Sequence, residues 1–476
     1  MLTLAAVPRH HRKNGSLPGG PMELLTPLLR SSAVTACFSD AATLQGMLDF
    51  EAALAAAQAR LGIIPQEAAR RIAEACHSAL FNETDLAQAA AQAGNLAIPL
   101  VKQLTARVAQ QDAHAARFVH WGATSQDALD TGLMLQLRNA LALTLIDLDR
   151  LIAALVQQIT RHQDCVLVGR TWMQHALPTT LGLKLAGTLD ALLRFRQRLE
   201  DMRPRVLTLQ LGGAAGTLAS LGEQGAELVT TLAAGLQLTA AHTPWHSQRD
   251  RLLEIAGWYA GLTGSLGKLA RDISLLTQTE VAEVAEPAAA GRGGSSTMPH
   301  KRNPVACAVI LAAANRVPAL VGGLYAAMVQ EHERGLGGWH AEWESLPELV
   351  MLASGALHTA ADLIAGLQVF PQQMQHNLKL TDGLIMAEAV TMALGESIGR
   401  QQAHHHIEKQ CHQALAQGLT LQAVLLDDPV VMANLTAQRL HELLDPQQYL
   451  GSARIFTQRV LQQATELTSG VHKHEG

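Results

Sequence analysis

The stretch GRGGSSTMPHKRNP, residues 291–304, concentrates groups that do chemistry on anions. Gly291, Gly293 and Gly294 make its backbone pliable. Ser295 and Ser296 add hydroxyls, and Lys301, Arg302 and Asn303 add cations and an amide. Pro304 suits the first residue of a following helix. Hydroxyls at a loop tip with positive charge at its base suit a flap that closes over an anion. An ordinary Gly/Ser linker has the same composition, so composition leaves both readings open.

Three further segments carry polar groups between apolar stretches. HWGATSQDALDT (120–131) offers His120, Thr124, Ser125 and Asp127. GRTWMQHALPTT (169–180) offers Arg170, Trp172 and His175, and PWHSQRDR (244–251) offers Gln248 and Arg249. Asp127 reads as a helix-start or orienting residue before a catalyst. Arg170 reads equally as a substrate cation or a structural ion-pair partner.

Other candidates are set aside. His404, His405 and His406 are consecutive, and neighbours on a helix point about 100° apart, so the three cannot converge on one metal ion. GLGGWH (335–340) lacks a preceding strand and reads as a turn, with Trp339 and His340 near the pocket. Glu280, Glu283 and Glu286 are read as one face of a helix, facing solvent or another subunit. No metal and no cofactor is expected.

The elements that must position these groups are helices. From Asp127 to His162 there is no proline, and Gly132 is the only glycine. Leu133, Leu137, Leu141, Leu145, Leu148, Ile152 and Leu155 recur at spacings of four or three along one face. Residues 178–203, 222–238, 249–286, 304–331 and 343–367 behave alike. A continuous helix over 249–286 would span roughly 57 Å. Helices of that length need cover along their sides, which implies a long bundle, shared between subunits where one chain cannot cover it.

Residues 43–60 form an amphipathic helix and 66–78 a second, whereas 207–222 reads as a loop or small hairpin. The expected fold is all-α, in four parts: a disordered leader (1–21), an N-terminal helical domain (22–126), a central long-helix domain (127–379) and a small C-terminal helical domain (380–476).

Composition bounds the class. Hydrophobic residues make up 48% and charged residues 16%, enough apolar material to exclude wholesale disorder. A net charge of −5 lacks the basic face of a nucleic-acid binder, yet leaves room for a local anion site. No apolar run is expected to span a bilayer. Five cysteines without a CxxC pattern suit reduced thiols in a cytoplasmic protein.

GSSTMPHKRNP resembles the GSSxMPxKxNP motif of the fumarase/aspartase superfamily. The segments 120–131, 169–180 and 244–251 resemble conserved regions of its adenylosuccinate lyase branch, and the resemblance runs from about Met22 onward. It implies three helical domains with a central five-helix bundle. It also implies a homotetramer in which each active site draws on three chains. The implied chemistry is reversible β-elimination. Ser295 matches the loop base, and Lys301 and Asn303 match the residues that hold the dianionic intermediate.

Thr124 and Ser125 match binders of substrate carboxylate, and His120, Trp172, Gln248, Arg249, Ser296, Met298 and Arg302 complete the expected binding set. His300 is a weaker candidate. The departures narrow the reading. Fumarase and adenylosuccinate lyase carry histidine after GRT and glutamate five residues past the loop asparagine; here these are Trp172 and Ala308. Tryptophan there resembles the cycloisomerase branch, which acts on 3-carboxy-cis,cis-muconate, a tricarboxylate. His175 is a candidate substitute acid. An adenylosuccinate lyase-like C–N lyase and a non-catalytic structural relative stand as alternatives.

Overall fold

The computed structural model describes residues 24–287, 298 and 301–471. The leader expected at 1–21, and Ser295, Ser296 and His300, lie outside the described residues. Helix α1 (Asp40–Arg60) starts where the Ser39 hydroxyl accepts the Ala42 N–H, and it stops before Gly62, at φ 72°.

Five long helices follow: α2 (Ser125–His162), α3 (Leu181–Val206), α4 (Asp250–Leu276), α5 (Val305–Ala327) and α6 (Gly338–Ala365). A hairpin of β1 (Val166–Thr171) and β2 (Gln174–Thr180) separates α2 from α3. Shorter helices fill the chain after Pro371. The fold is all-α, as the apolar periodicity implies.

The chain divides into two compact units, and each long helix lends residues to both. The first holds residues up to Leu143 with Asp201–Ala256 and Leu320–Leu352. In it α1 and α2 touch backbone to backbone. A Cβ at Gly46 would lie 2.9 Å from the Gly132 carbonyl oxygen, and one at Gly132 would lie 3.1 Å from Gly46 C. That close approach explains the lone glycine in an otherwise leucine-rich helix.

The second unit holds Thr144–Glu200, Gly257–Ala319 and the chain from Ala353. Its core joins helices through a buried hydroxyl chain, with Thr144 Oγ1 2.9 Å from Tyr259 Oη and 3.1 Å from Ser354 Oγ. Trp258 Nε1 donates to the Phe195 carbonyl at 2.9 Å, tying α4 to α3. A separate apolar cluster (Val390, Leu394, Ile407, Leu421, Leu425) organises the C-terminal helices.

The structure corrects several expectations. Helix α4 ends at Leu276, not 286, which makes it about 40 Å long. The chain turns instead: Ala282 N donates to Gln278 O at 2.7 Å, Glu283 N to Leu276 O at 2.9 Å, and Ala282 takes φ 50°. Val284–Ala285 then pairs antiparallel with Gln368–Val369. Glu280, Glu283 and Glu286 therefore share no helical face, and Glu283 is buried.

Residues 207–218 form a loop with one parallel bridge, Thr208 to Thr239, and no hairpin. Among the described residues two helices, Val305–Ala327 and Gly338–Ala365, are long and apolar enough to cross a membrane, against the expectation of none. The apolar window of α6 is 72% buried in the protein core, whereas that of α5 is 33% buried.

Gly132→Ala forces a methyl group against the α1 backbone. It should destabilise the protein by about 1–3 kcal/mol, the usual cost of overpacking, measured by urea unfolding. An unchanged midpoint would remove the close approach as the reason for glycine.

Candidate functional site

In the first unit, α2 opens on Ser125, and Asp127 organises its start. The buried Asp127 carboxylate reaches back to the Thr124 N–H at 2.9 Å. It also accepts from Gly212 N at 3.0 Å and Gly213 N at 2.9 Å, and meets His246 Nε2 at 2.7 Å. One side chain thus gathers the segments 120–131, 207–222 and 244–251. Gly212 is required because a Cβ there would lie 2.7 Å from both the His246 ring and Pro244, and Gly213 sits at φ 67°. This orienting role is the one expected of Asp127. Thr124 and Ser125 remain half-buried beside it.

Arg249 was expected to face substrate, and the structure places it elsewhere. It is fully buried, stacked 4.8 Å over the Trp245 ring. Its guanidinium meets Asp130 at 2.7 and 3.0 Å and Glu342 at 2.6 and 3.0 Å. Trp339 Nε1 and Gln126 Nε2 add hydrogen bonds to Asp130, both 3.1 Å. Burial opposes the charge on Arg249, but Asp130 and Glu342 outweigh it and hold the guanidinium protonated. Burial pushes Glu342 above the usual carboxylate range, against the pull of Arg249.

Trp339, expected near the pocket, is thus a buried strut, while His340 is exposed. Gln248 is exposed. Arg334, which sequence reasoning missed, is half-buried and donates to neutral acceptors, Gln126 Oε1 at 3.1 Å and Ala214 O at 3.0 Å. Among the described residues no carboxylate pairs with it.

His120 takes a left-handed conformation, φ 58°, that costs a non-glycine residue about 1–3 kcal/mol. Two buried polar residues of α1 hold it and its neighbour. Glu51 Oε1 lies 2.5 Å from His120 Nδ1, and Gln58 Nε2 donates to the Trp121 carbonyl at 2.7 Å. Sequence reasoning missed both; the signal was two polar side chains seven residues apart on one face of an alanine-rich helix. Burial works against the charge on His120, yet Glu51, helped by Asp127, raises its pKa above the ordinary imidazole value.

In the second unit the hairpin carries Trp172 at its tip. Thr171 pairs with Gln174, so Trp172 and Met173 form a two-residue turn with φ 50° and 65°. Such turns favour Asn-Gly. Here two large side chains occupy it, Trp172 98% exposed. At the hairpin base, Val166 and Val168 pack with Leu378, Ile385 and Met386.

Arg170 is an ion-pair residue. It grips Glu283 at 2.8 and 3.0 Å, and Asn377 Nδ2 braces Glu283 at 2.8 Å. His175 faces Arg170 across the hairpin. Burial first, then Arg170, depresses its pKa, which opposes a role as substitute acid.

Of the loop residues, Lys301 and Met298 are exposed and Asn303 is half-buried. Arg302 donates to Gln368 Oε1 at 3.1 Å and to the Glu286 carbonyl at 2.9 Å. The Glu286 carboxylate caps α5, accepting Ala306 N at 3.0 Å and Cys307 N at 2.8 Å. Among the described residues no group of three His, Cys, Asp or Glu side chains is arranged to hold a metal. His406 instead pairs with Asp428 at 2.9 Å.

An all-helical chain that sets a TSxD helix start, a GRT hairpin and a KRNP helix entrance in this order has the framework of one enzyme class. Residues 29–319 match the family described as lyase, and residues 383–460 match adenylosuccinate lyase C-terminus. The chain belongs to this lyase family, the fumarase/aspartase superfamily.

The relatives narrow the branch. A 3-carboxy-cis,cis-muconate cycloisomerase of Pseudomonas aeruginosa is 56% identical over 439 residues, covering 92% of this chain and 96% of the relative. The crystal structure of 3-carboxy-cis,cis-muconate lactonizing enzyme from Pseudomonas putida aligns with TM-score 0.90 at 51% identity, covering 94% of this chain and 100% of that one. A nitrosuccinate lyase of Streptomyces davaonensis is 44% identical over 438 residues, covering 90% of this chain and 92% of the relative.

Arg249→Met leaves Asp130 and Glu342 buried without their cation. It should cost about 3–5 kcal/mol of stability, read by denaturant unfolding. A variant as stable as the parent would show that the two carboxylates find other partners.

Proposed function

We propose that this enzyme converts 3-carboxy-cis,cis-muconate to 4-carboxymuconolactone, a step in the breakdown of protocatechuate. The observation that carries this reading is Trp172 at the hairpin tip, where fumarase and adenylosuccinate lyase place histidine, together with Ala308 in place of their glutamate. The matches to cycloisomerases support it.

The chemistry accounts for the missing pair. A carboxylate of the substrate attacks the substrate's own double bond. It is already ionised and tethered, so it needs no base and loses little association entropy. A carbon–oxygen bond forms, and the π electrons move onto the carbon next to another carboxylate, giving a dianion. Ser295 delivers the proton to that carbon. In reverse, the leaving group is a carboxylate of pKa about 4, which departs without an acid.

Lys301 and Asn303 hold the dianion, as charge fixed in advance should. Thr124, Ser125, His120, Gln248, Ser296, Met298 and Arg302 line the substrate, and Trp172 packs against the flat diene. Arg334 supplies the cation first expected of Arg249, which instead positions the 244–251 segment. The three domain ranges inferred from the sequence carry these parts.

The working form is a homotetramer whose active sites draw on more than one chain. The α5 window, apolar at mean hydropathy 1.8 yet 33% buried, supports this: an apolar surface of that kind needs another subunit over it. The five cysteines, all unpaired, suit the cytoplasm.

Purified protein should deplete the ultraviolet absorbance of carboxymuconate as the diene is consumed. Ser295→Ala should lower kcat at least about a hundredfold while the oligomer elutes unchanged in size-exclusion chromatography. Consumption of adenylosuccinate instead would favour the C–N lyase reading. Undiminished turnover by Ser295→Ala would remove that residue as the proton donor.

A further inference from the structure

The pair lost at Trp172 and Ala308 was a histidine backed by a glutamate. The first unit contains another such pair, and no motif points to its glutamate. Glu51 lies in the middle of α1, 1% exposed, and its Oε1 meets His120 Nδ1 at 2.5 Å. Its second oxygen, Oε2, is buried with no hydrogen-bond partner among the described residues. A carboxylate kept in a helix core with half its acceptors unused is an expensive way to hold a loop, because a neutral amide would accept the same bond. What the carboxylate adds is charge.

The charges facing the ring are Glu51 from α1 and Asp127 from α2, both negative. Asp127 is itself engaged by His246 Nε2 from the 244–251 segment, at 2.7 Å. A carboxylate at Oε1 can only accept, and in that arrangement Nδ1 carries the proton. The remaining donor is Nε2, on a side chain that keeps 16% of its surface exposed.

We propose that Glu51 is a positioning residue: its hydrogen bond to Nδ1 keeps His120 an imidazolium, whose Nε2–H receives a carboxylate of the substrate. This rests on the substrate class argued above. It supplies a fixed cation beside Thr124 and Ser125 where a tricarboxylate must be neutralised. The histidine–glutamate pair is thereby an anion receptor and not the acid that its lost counterpart was.

The sign of the pH effect follows. A raised histidine pKa means the cation, and the stability it contributes, is complete below the ordinary imidazole value and is lost as pH rises through the raised one. Glu51→Gln preserves an acceptor for Nδ1–H but removes the charge, so burial, opposed by Asp127 alone, should draw the His120 titration downward.

Two measurements test this on the full-length enzyme. First, histidine labelled with 13C at Cε1, with the His120 resonance assigned by its loss in His120→Gln, reports the His120 titration without substrate. Glu51→Gln should lower that midpoint by about one pH unit or more; an unmoved midpoint overturns the proposal. Second, with carboxymuconate, Glu51→Gln should raise KM about tenfold at pH 8 with kcat within about twofold, and the gap should be smaller at about pH 5.5, where more of the imidazole is protonated without Glu51.

A KM defect equal at both pH values, or a fall in kcat alone, marks a merely structural residue and overturns the proposal. So does an undiminished Glu51→Gln effect in the His120→Gln background. If Glu51→Gln does not fold, Glu51→Asp, which keeps the charge, should fold with nearly parental KM at pH 8; a large defect there overturns the proposal as well. If the parent enzyme leaves carboxymuconate untouched, the substrate assignment fails, while the His120 titration still decides the role of Glu51.

Discussion

A carboxylate buried at the start of a 38-residue helix must be satisfied, and that requirement shapes the first unit. Asp127 draws two consecutive glycine amides, the Thr124 amide and the His246 ring onto itself. Two of the segments that supply these donors, 120–131 and 244–251, carry candidate binding groups. The geometry of Thr124 and Ser125 is thus a by-product of satisfying one side chain. The three segments are far apart in sequence, and their convergence costs chain entropy that these charge-assisted bonds help to offset.

The second buried cluster works differently. Arg249 sits between two carboxylates, Asp130 and Glu342, so the group as a whole is negative when all three are ionised. Buried ion networks of this kind add little net stability compared with apolar packing, but they are costly to break. Their value is in direction. A guanidinium with carboxylates on two sides and an indole beneath it has one orientation. The hairpin follows the same logic, with Arg170 clamped by Glu283 and Glu283 by Asn377.

Much of this was legible in the sequence. Leucine spacing located α2 to within two residues, because a helix buried on several sides repeats its apolar residues without interruption. The motif segments were also visible, since unusual strings stand out against leucine and alanine. The end of α4 was not visible. Residues 277–286 contain no proline or glycine, and what bends them is pairing between Val284–Ala285 and Gln368–Val369, a contact across more than eighty positions. The burial of Arg249 was hidden for the same reason: Asp130 and Glu342 are far from it in the chain. Glu51 was overlooked because local periodicity shows that a polar residue interrupts a face but not what lies opposite.

The turn at Trp172 and Met173 owes its shape to the strands that lead into it, not to the residues occupying it. Both backbone angles are ones their side chains resist, yet the ladder from Val166 to Thr180 imposes them. Form and chemistry are therefore uncoupled at this point. An imidazole, an indole or an amide can stand there on an unaltered backbone, so the residue at the tip can change in one codon without rebuilding the hairpin beneath it.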